Sequence, residues 1–270
     1  MRIELIGCTS AGKSTLARGI LEGCRADGLD VVLGDDLVLG YLGLSRVGYP
    51  LLRSLLLNLM GVAAGLASWR SSRPLMSLAV RILRPLPIPL PTKVHTLRNV
   101  LKRLGIDALV RRRSAAGRVV LLDEGVLQAA HYLLVQLSLP VDGEALAAFA
   151  RLAPRPDVAV YLRPPEPVLV ARTLARGHPR VPRGSPEAAA VFVGRAVETF
   201  DGLAQCLAED GRLMTVEDAG EVRVGAHQRS DPSVQRALQV LRAGLAAAGA
   251  GDLAATPLVT PGAGATGRAG

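Results

Sequence analysis

The sequence predicts an α/β fold: a three-layer sandwich with a parallel five-stranded sheet between helices, carrying one helical insert. Three observations predict it. A glycine-rich loop of phosphate-binding form joins a short apolar strand to a helical pattern within residues 3–26. Four more short apolar runs follow near 30–36, 118–125, 156–162 and 212–216, with helical stretches between them. Strands that alternate with helices assemble as βαβ units into a parallel sheet. Lastly, residues 41–113 form a long, Leu-rich and Arg-rich segment that interrupts the alternation. With 270 residues, 49% of them hydrophobic, the chain can bury one sizeable core.

The first strand, Ile3-Glu4-Leu5-Ile6, leads into Gly7-Cys8-Thr9-Ser10-Ala11-Gly12-Lys13-Ser14 and then Thr15-Leu16-Ala17-Arg18. This is G-x-x-x-x-G-K-[ST] in its confirming context, with a strand before and a helix after. Gly7 and Gly12 permit backbone conformations that a side chain blocks. The loop N–H groups then turn inward as an anion nest, and the helix over 13–26 adds its positive end. Gly7, Thr9, Ser10, Ala11, Gly12, Lys13, Ser14 and Thr15 are therefore the expected nucleotide contacts. Lys13 would reach the β- and γ-phosphates, and the Ser14 hydroxyl would ligate Mg²⁺. Lys occurs only at 13, 93 and 102, so chance would supply roughly 0.01 such matches in the chain.

The second strand is expected over Asp30–Asp36, ending in two carboxylates. Ligands of open parallel sheets bind at the carboxyl ends of strands, so Asp35 and Asp36 are candidates to meet an acceptor. A solvated strand-end pair or a helix cap is the competing role for either one.

Within the insert, Pro50 to Trp69 is Leu-rich, interrupted by Arg53 and Asn58. Its cleanest apolar run, Ser54 to Trp69, is shorter than the ~20 residues of a bilayer span, which points to a buried or interfacial helix. Ser71-Ser72-Arg73-Pro74 has the form of a helix start. On a helix continuing through Arg84, the residues Arg70, Arg73, Arg81 and Arg84 share a narrow arc opposite Leu75, Leu78, Ala79 and Ile82. Such a stripe is a solvated face, an anion-binding wall or a membrane-surface helix. Pro85, Pro87, Pro89 and Pro91 break any helix into an extended connector, and residues 92–113 return to a basic helical pattern.

Charge is unevenly placed. Residues 41–118 hold fourteen Lys or Arg against one acid, Asp107, so this block carries all of the chain's excess of +9. An anionic partner follows: a phosphorylated substrate, a membrane surface or a nucleic acid. Nucleic acid ranks last, because Tyr41, Tyr49 and Trp69 are the block's only aromatic side chains for stacking.

Arg118 to Leu122, ending in Asp123-Glu124-Gly125, is the third strand and has the form of a second phosphate-site motif, in which Asp123 orients Mg²⁺ directly or through water. Residues 126–138 and 142–152 are expected to be helical, and Pro156–Leu162 to be the fourth strand. The helix after it carries Arg172 and Arg176, followed by Gly177-His178-Pro179-Arg180-Val181-Pro182-Arg183-Gly184. Four arginines there suit a lid, about 172–186, that closes over phosphates; complementing a helix dipole is the plainer role. His178 is expected to be a loop histidine. A helix over 187–209, a fifth strand over 212–216, a base-side loop at 217–220, a closing helix over 232–248 and a disordered tail over 249–270 complete the chain. The expected division is a core of 1–40 and 114–248 with an acceptor-binding insert at 41–113. Cys8, Cys24 and Cys206 show no metal or disulfide spacing, and the N-terminus runs straight into the first strand without room for a signal peptide. Both features lead to the expectation of a cytoplasmic protein.

Phosphate loop, strand with Asp-Asp, helical insert, strand with Asp-Glu-Gly, strand, Arg-rich lid and strand form an order that resembles the P-loop kinases of the nucleoside and nucleoside-monophosphate kinase type, thymidylate kinases in particular, over residues 1 to about 245. The resemblance implies a P-loop NTPase-type core that uses ATP and Mg²⁺. In that family a carboxylate after the second strand contacts or deprotonates the acceptor, an acid–Arg pair at the third strand holds metal and acceptor phosphate, and lid arginines clamp the donor. Carried over, these roles fall on Asp35 or Asp36, on Asp123, and on Arg172, Arg176, Arg180 and Arg183. Arg176 and Arg180 would join Lys13 in neutralising the moving phosphoryl group, with Arg172 and Arg183 as ATP contacts. The chain departs from the pattern at Glu124, where the family has Arg.

The expected function is thus an ATP-dependent phosphotransferase acting on a small anionic acceptor. A nucleoside monophosphate is the family default; a phosphorylated sugar or an amphiphile also fits. The rival is a nucleotide-dependent ATPase or switch whose basic block, 41–113, binds an anionic membrane surface or a protein. No Asn-Lys-x-Asp guanine motif and no Leu-Ser-Gly-Gly transporter signature occurs in the sequence. A homodimer is left open.

Overall fold

The apolar runs pair as strands covered on both faces. The computed structural model describes residues 1–41, 43–44, 49–114, 118–209, 213–216, 234–235, 238–239 and 242. Strands β1 (Arg2–Ile6), β2 (Val31–Leu33), β3 (Val119–Leu122), β4 (Val158–Leu162) and β5 (Leu213–Val216) form one all-parallel sheet in the order β2-β3-β1-β4-β5. The helices between them are α1 (Lys13–Ala26), α2 (Gly34–Gly40), α3 (Pro50–Ala67), α4 (Trp69–Leu83), α5 (Leu90–Arg113), α6 (Ala129–Leu134), α7 (Gly143–Leu152), α8 (Glu166–Arg176) and α9 (Pro186–Ala208). The central strand is β1, whose Ile3 lies opposite Leu121 on one side and Val158 on the other.

Side chains alternate between the faces of a strand. Ile3, Leu5, Leu121, Val160 and Leu162 therefore enter one cluster with α1 and with Phe192, Val193 and Ala196 of α9. Ile6, Ala159 and Tyr161 enter another with Leu75, Leu78 and Leu83 of α4, Leu104 of α5 and Phe149 of α7. A smaller cluster joins Val120 and Leu122 of β3 to Val38 of α2, Leu57 of α3 and Ile106 of α5. Helices thus cover both faces of the sheet. Each buried Leu or Phe in these clusters contributes about 1.5–3 kcal/mol.

Several boundaries differ from the sequence expectation for local reasons. The second strand is only three residues long, because Gly34 opens α2; Asp35 and Asp36 sit in the first turn of that helix, where carboxylates meet the positive end of the dipole. Helix α4 starts at Trp69 and carries Pro74 inside it, so the serine-proline start expected at Ser71 is not used. Pro74 and Arg70 both face solvent, so the carbonyl that loses its partner to proline stays hydrated. Pro91 lies in the first turn of α5, which shortens the proline connector to Pro89. A turn through Gln128 into the six-residue α6 replaces the helix expected over 126–138. Of the closing helix, Val234 and Leu238 are described and pack against the Gly19 and Gly23 side of α1. The expected loop at 217–220 and the tail at 249–270 lie outside the described residues.

The helices α3 to α5 share their apolar contacts with β3, α6 and α7. Helix α3 runs antiparallel along α5, with Gly61 and Gly65 against Leu101, Lys102, Gly105 and Ile106. The arginine stripe of α4 faces solvent, with Leu75, Leu78 and Ala79 buried on the other side.

A Cβ at Gly105 would overlap the Gly61 carbonyl oxygen, whereas one at Gly143 meets only open space. Gly105→Ala is expected to lower stability by about 1–3 kcal/mol, read as a drop in thermal unfolding midpoint, with Gly143→Ala as the neutral control. Equal melting of the two variants would refute the close α3–α5 contact.

Candidate active site

The glycine-rich loop expected to bind phosphate takes its shape from two glycines at the carboxyl end of β1. Gly7 has φ 141° and Gly12 φ 102°, values that L side chains rarely adopt. At Gly7 a Cβ would also lie 2.6 Å from the Leu162 carbonyl oxygen. Gly12 is the N-cap of α1, so Lys13 and Ser14 are the first residues of that helix. Their amides have no intrahelical partner and add to its positive end.

The side chains behind the loop complete an oxygen-rich corner. Ser14 donates its hydroxyl hydrogen to Asp123 Oδ2 at 2.7 Å. Asp123 Oδ1 is buried and has no hydrogen-bond partner among the described residues. No cluster of three or more His, Cys, Asp or Glu that could hold a metal occurs among the described residues. One hydroxyl and one carboxylate with a free lone pair form the sparse oxygen set that suits Mg²⁺, which keeps waters and phosphate oxygens as its other ligands. Ser14 and Asp123 thus fit that ion. Lys13 Nζ meanwhile donates to the carbonyls of Gly7 and Cys8, each at 3.0 Å. Burial pushes the Lys13 ammonium down, and Glu124 and Asp123 pull it back up.

A buried polar chain supports the loop from below, and sequence reasoning missed it. Glu4 Oε1 accepts from the Gln128 amide at 3.1 Å, and Gln128 Nε2 donates to the Gly7 carbonyl at 3.1 Å. His131 Nε2 and Thr9 Oγ1 share a 2.9 Å hydrogen bond. Burial drives the His131 pKa well below its usual value, and the nearby Lys13 and Arg180 add to that, so the ring is neutral. Burial likewise lifts Glu4 from 4.5 to about 8. The available signal was an acid inside an otherwise apolar strand, where a lone buried carboxylate needs partners.

The expected lid arginines divide. Arg172 and Arg176 line a groove of about 810 Å³ with Thr9, Ser10, Ala11, Gly12, Lys13, Ser14 and Thr15, bounded by Tyr132 and His178. Arg180 turns elsewhere, donating to the carbonyls of Val135 at 2.8 Å and Tyr132 at 3.0 Å, which ties the lid loop to the end of α6. Arg183 borders an adjoining hollow that shares Arg176, Gly177 and His178 with that groove. The His178 ring packs 4.3 Å from that of Phe192.

A second cavity, of about 600 Å³, opens on the other side of Glu124 and Tyr132, which line both spaces. Its walls are basic. Helix α5 supplies His95, Arg98, Asn99, Lys102 and Arg103, at offsets 0, 3, 4, 7 and 8, which is one face of a helix. That face was legible in the spacing, although the sequence could not show what it turned toward. Helix α3 adds Arg53, Ser54 and Asn58, the polar breaks in its Leu-rich run. Arg53 pairs with Asp36 at 2.6 Å, leaving Asp35 as the α2 carboxylate that lines the cavity. The cavity walls push Asp35 up by desolvation, against the pull of Lys102 and Arg53.

Arg103 joins the two spaces. Its guanidinium donates to Glu124 Oε2 at 2.5 Å, to the Tyr132 hydroxyl at 3.0 Å and to the Glu124 carbonyl. Partial burial raises the Glu124 carboxyl, but Arg103 and Lys13 outweigh it and hold the group ionised. An arginine therefore does stand beside Asp123-Glu124, delivered by α5 in place of the next position in the chain. Among the described residues, neither Arg98 nor Lys102 has an acidic salt-bridge partner.

Glu4 binds its proton more tightly folded than unfolded, so its contribution is present below pH 4.5 and is lost as pH rises toward 8. The native protein should lose stability across that window more steeply than Glu4→Gln, by ~1.4 kcal/mol per pH unit. Chemical unfolding of both proteins at pH steps through the window measures it; parallel curves would overturn the buried, protonated Glu4.

No protein-family model matches this chain, and no curated protein matches it.

Proposed function

We propose that this protein is a P-loop NTPase-type phosphotransferase that moves the γ-phosphoryl group of Mg·ATP to a hydroxyl of a small anionic acceptor. The observation that carries the reading is the meeting of two cavities at Glu124 and Tyr132, one formed by the phosphate loop and the other lined by cations. A donor in the first and an acceptor in the second would face each other across that boundary.

The residues divide the work by position. Thr9 to Thr15 cradle the donor phosphates, and Lys13 moves from the Gly7 and Cys8 carbonyls onto the β- and γ-oxygens. Ser14 and Asp123 would hold Mg²⁺, which would supply neutralisation of phosphate charge. Arg172 and Arg176 cover the groove, while Arg180 anchors the lid loop. On the acceptor side, Arg98 and Lys102 bind the anionic group, and Asp35 receives the hydroxyl proton. The acceptor oxygen then bonds to phosphorus, the bond to the β–γ bridging oxygen breaks, and ADP leaves. Catalysis of this kind is positioning and electrostatics.

Among the described residues, the acceptor wall offers His95 and Tyr132 as its only rings. That favours a phosphorylated or carboxylated polyol over a ligand that needs a stacked base. All three cysteines are free, which suits a reducing, cytoplasmic setting.

ADP release from Mg·ATP, measured with pools of sugar phosphates, nucleoside monophosphates and nucleosides, tests the reading. One pool should raise turnover, and Lys13→Ala should abolish the gain by about 10²-fold or more. If no pool exceeds the Lys13→Ala blank, phosphotransfer to a small acceptor fails. With the acceptor in hand, Arg98→Ala and Lys102→Ala should each raise its KM about tenfold or more while leaving the KM for ATP unchanged.

A further inference from the structure

Helix α3 presents an apolar face that no other described residue covers. Leu51, Leu52, Leu55, Leu59, Ala63 and Leu66 fall at offsets 0, 1, 4, 8, 12 and 15, which at 100° per residue span an arc of about 120°. Leu51 is 87% exposed, Leu59 60%, Leu66 56% and Leu55 54%. The 18-residue helix has a mean hydropathy of 1.5 with only 17% of it buried. A core helix of that composition would be largely covered, and an exposed stripe of this length marks a surface with a partner.

Length alone would nearly allow a bilayer crossing, since 18 residues extend about 27 Å. Two attachments exclude it. Gly61 and Gly65 pack directly onto α5, and Arg53, near the start of α3, is ion-paired to Asp36 of α2. The helix is held sideways on the protein, with one face inward and one outward, which is the geometry of a helix lying in an interface.

We propose that the outward face of α3 rests in the headgroup region of a membrane that contains anionic lipid. Charge complementarity selects this occupant. The helix sits in the block of residues 41–118 that holds fourteen Lys or Arg and one acid, and Arg70, Arg73, Arg81 and Arg84 of the following helix segment face solvent. Tyr49, 77% exposed, and Trp69, 45% exposed, stand just before and just after α3. Amphipathic rings are favoured where apolar chains meet headgroups. The surface also borders the basic cavity: Asn58, on the edge of the apolar arc, is one of its lining residues. This surface is independent of the phosphotransfer reading and stands or falls by itself.

Trp69 is the only tryptophan in the chain, so the native protein carries its own reporter. The full chain is titrated with vesicles of phosphatidylcholine alone and of phosphatidylcholine with phosphatidylserine, following Trp69 emission and co-sedimentation. Binding with a blue-shifted emission is expected on the anionic vesicles, weakening as salt is raised. Leu55→Glu/Leu59→Glu should bind about tenfold more weakly or worse while keeping the wild-type thermal unfolding midpoint. Leu55→Ser/Leu59→Ser is the milder pair should the charged one misfold. Absence of wild-type binding overturns the proposal, as does binding that ignores both leucine pairs. A wild-type dimer that the leucine changes split, with no vesicle binding, would also overturn it and assign the face to a second copy of the chain.

Discussion

The candidate site depends on one backbone contact: the glycine-rich loop turning back over the carboxyl ends of β1 and β4. At Gly7 the chain lies so close to the Leu162 carbonyl that no side chain fits, and its φ of 141° bends the loop away from the strand direction. Everything downstream inherits that turn. It sets Gly12 at the start of α1, brings Ser14 to 2.7 Å from Asp123, and leaves the Gly7 carbonyl to receive both Lys13 and Gln128. Under the proposed phosphotransfer, loss of the turn would misplace donors meant to converge on one phosphate group, and positioned donors are what such a reaction requires.

Burial sets the protonation states around this turn. Glu4 and His131 lie beneath the loop with almost no solvent contact, and desolvation drives each toward its neutral form. The loop is thus carried on neutral polar contacts, which add little field of their own. Charge is kept for the rim: Arg172 and Arg176 on one side, Arg98 and Lys102 on the other, with the Arg103–Glu124 pair between them. Pairing at the boundary holds Arg103 in place while leaving the outer cations to meet a ligand.

The helices between β2 and β3 serve two environments at once. Small residues on α3 and α5 bring their backbones close enough to build one wall, whose polar face lines the cavity. Leu57 packs inward, and Leu51, Leu52, Leu55, Leu59 and Leu66 then point outward because Gly61 and Gly65 close the inner face onto α5. A hydrophobic run that reads in isolation as a buried or interfacial helix is therefore surface on one side: Leu57, Gly61 and Gly65 face inward, and Arg53, Ser54 and Asn58 line the cavity beside them.

Local spacing by itself determined the five strands and the parallel α/β class, and it marked the glycine-rich loop and Asp123 as candidates. The pattern of each segment is set by near neighbours in the chain, whereas the order β2-β3-β1-β4-β5 and the 2.7 Å approach of Ser14 to Asp123 join segments far apart in it. Residues whose roles depend on distant partners were decided only by the tertiary structure. Asp35 and Asp36 are adjacent and chemically equal, and Arg53 of another helix separates them by pairing with one. Arg180 looks like a phosphate ligand until the uncapped carbonyls at the end of α6 are seen to bind it. Arg103 sits 20 residues before Asp123 in the sequence, and it reaches the site because the glycines of α3 and α5 let their helices pack backbone to backbone and fix which face of α5 meets the sheet. Periodicity defines the faces of a helix; only packing across the whole chain chooses which of them turns inward.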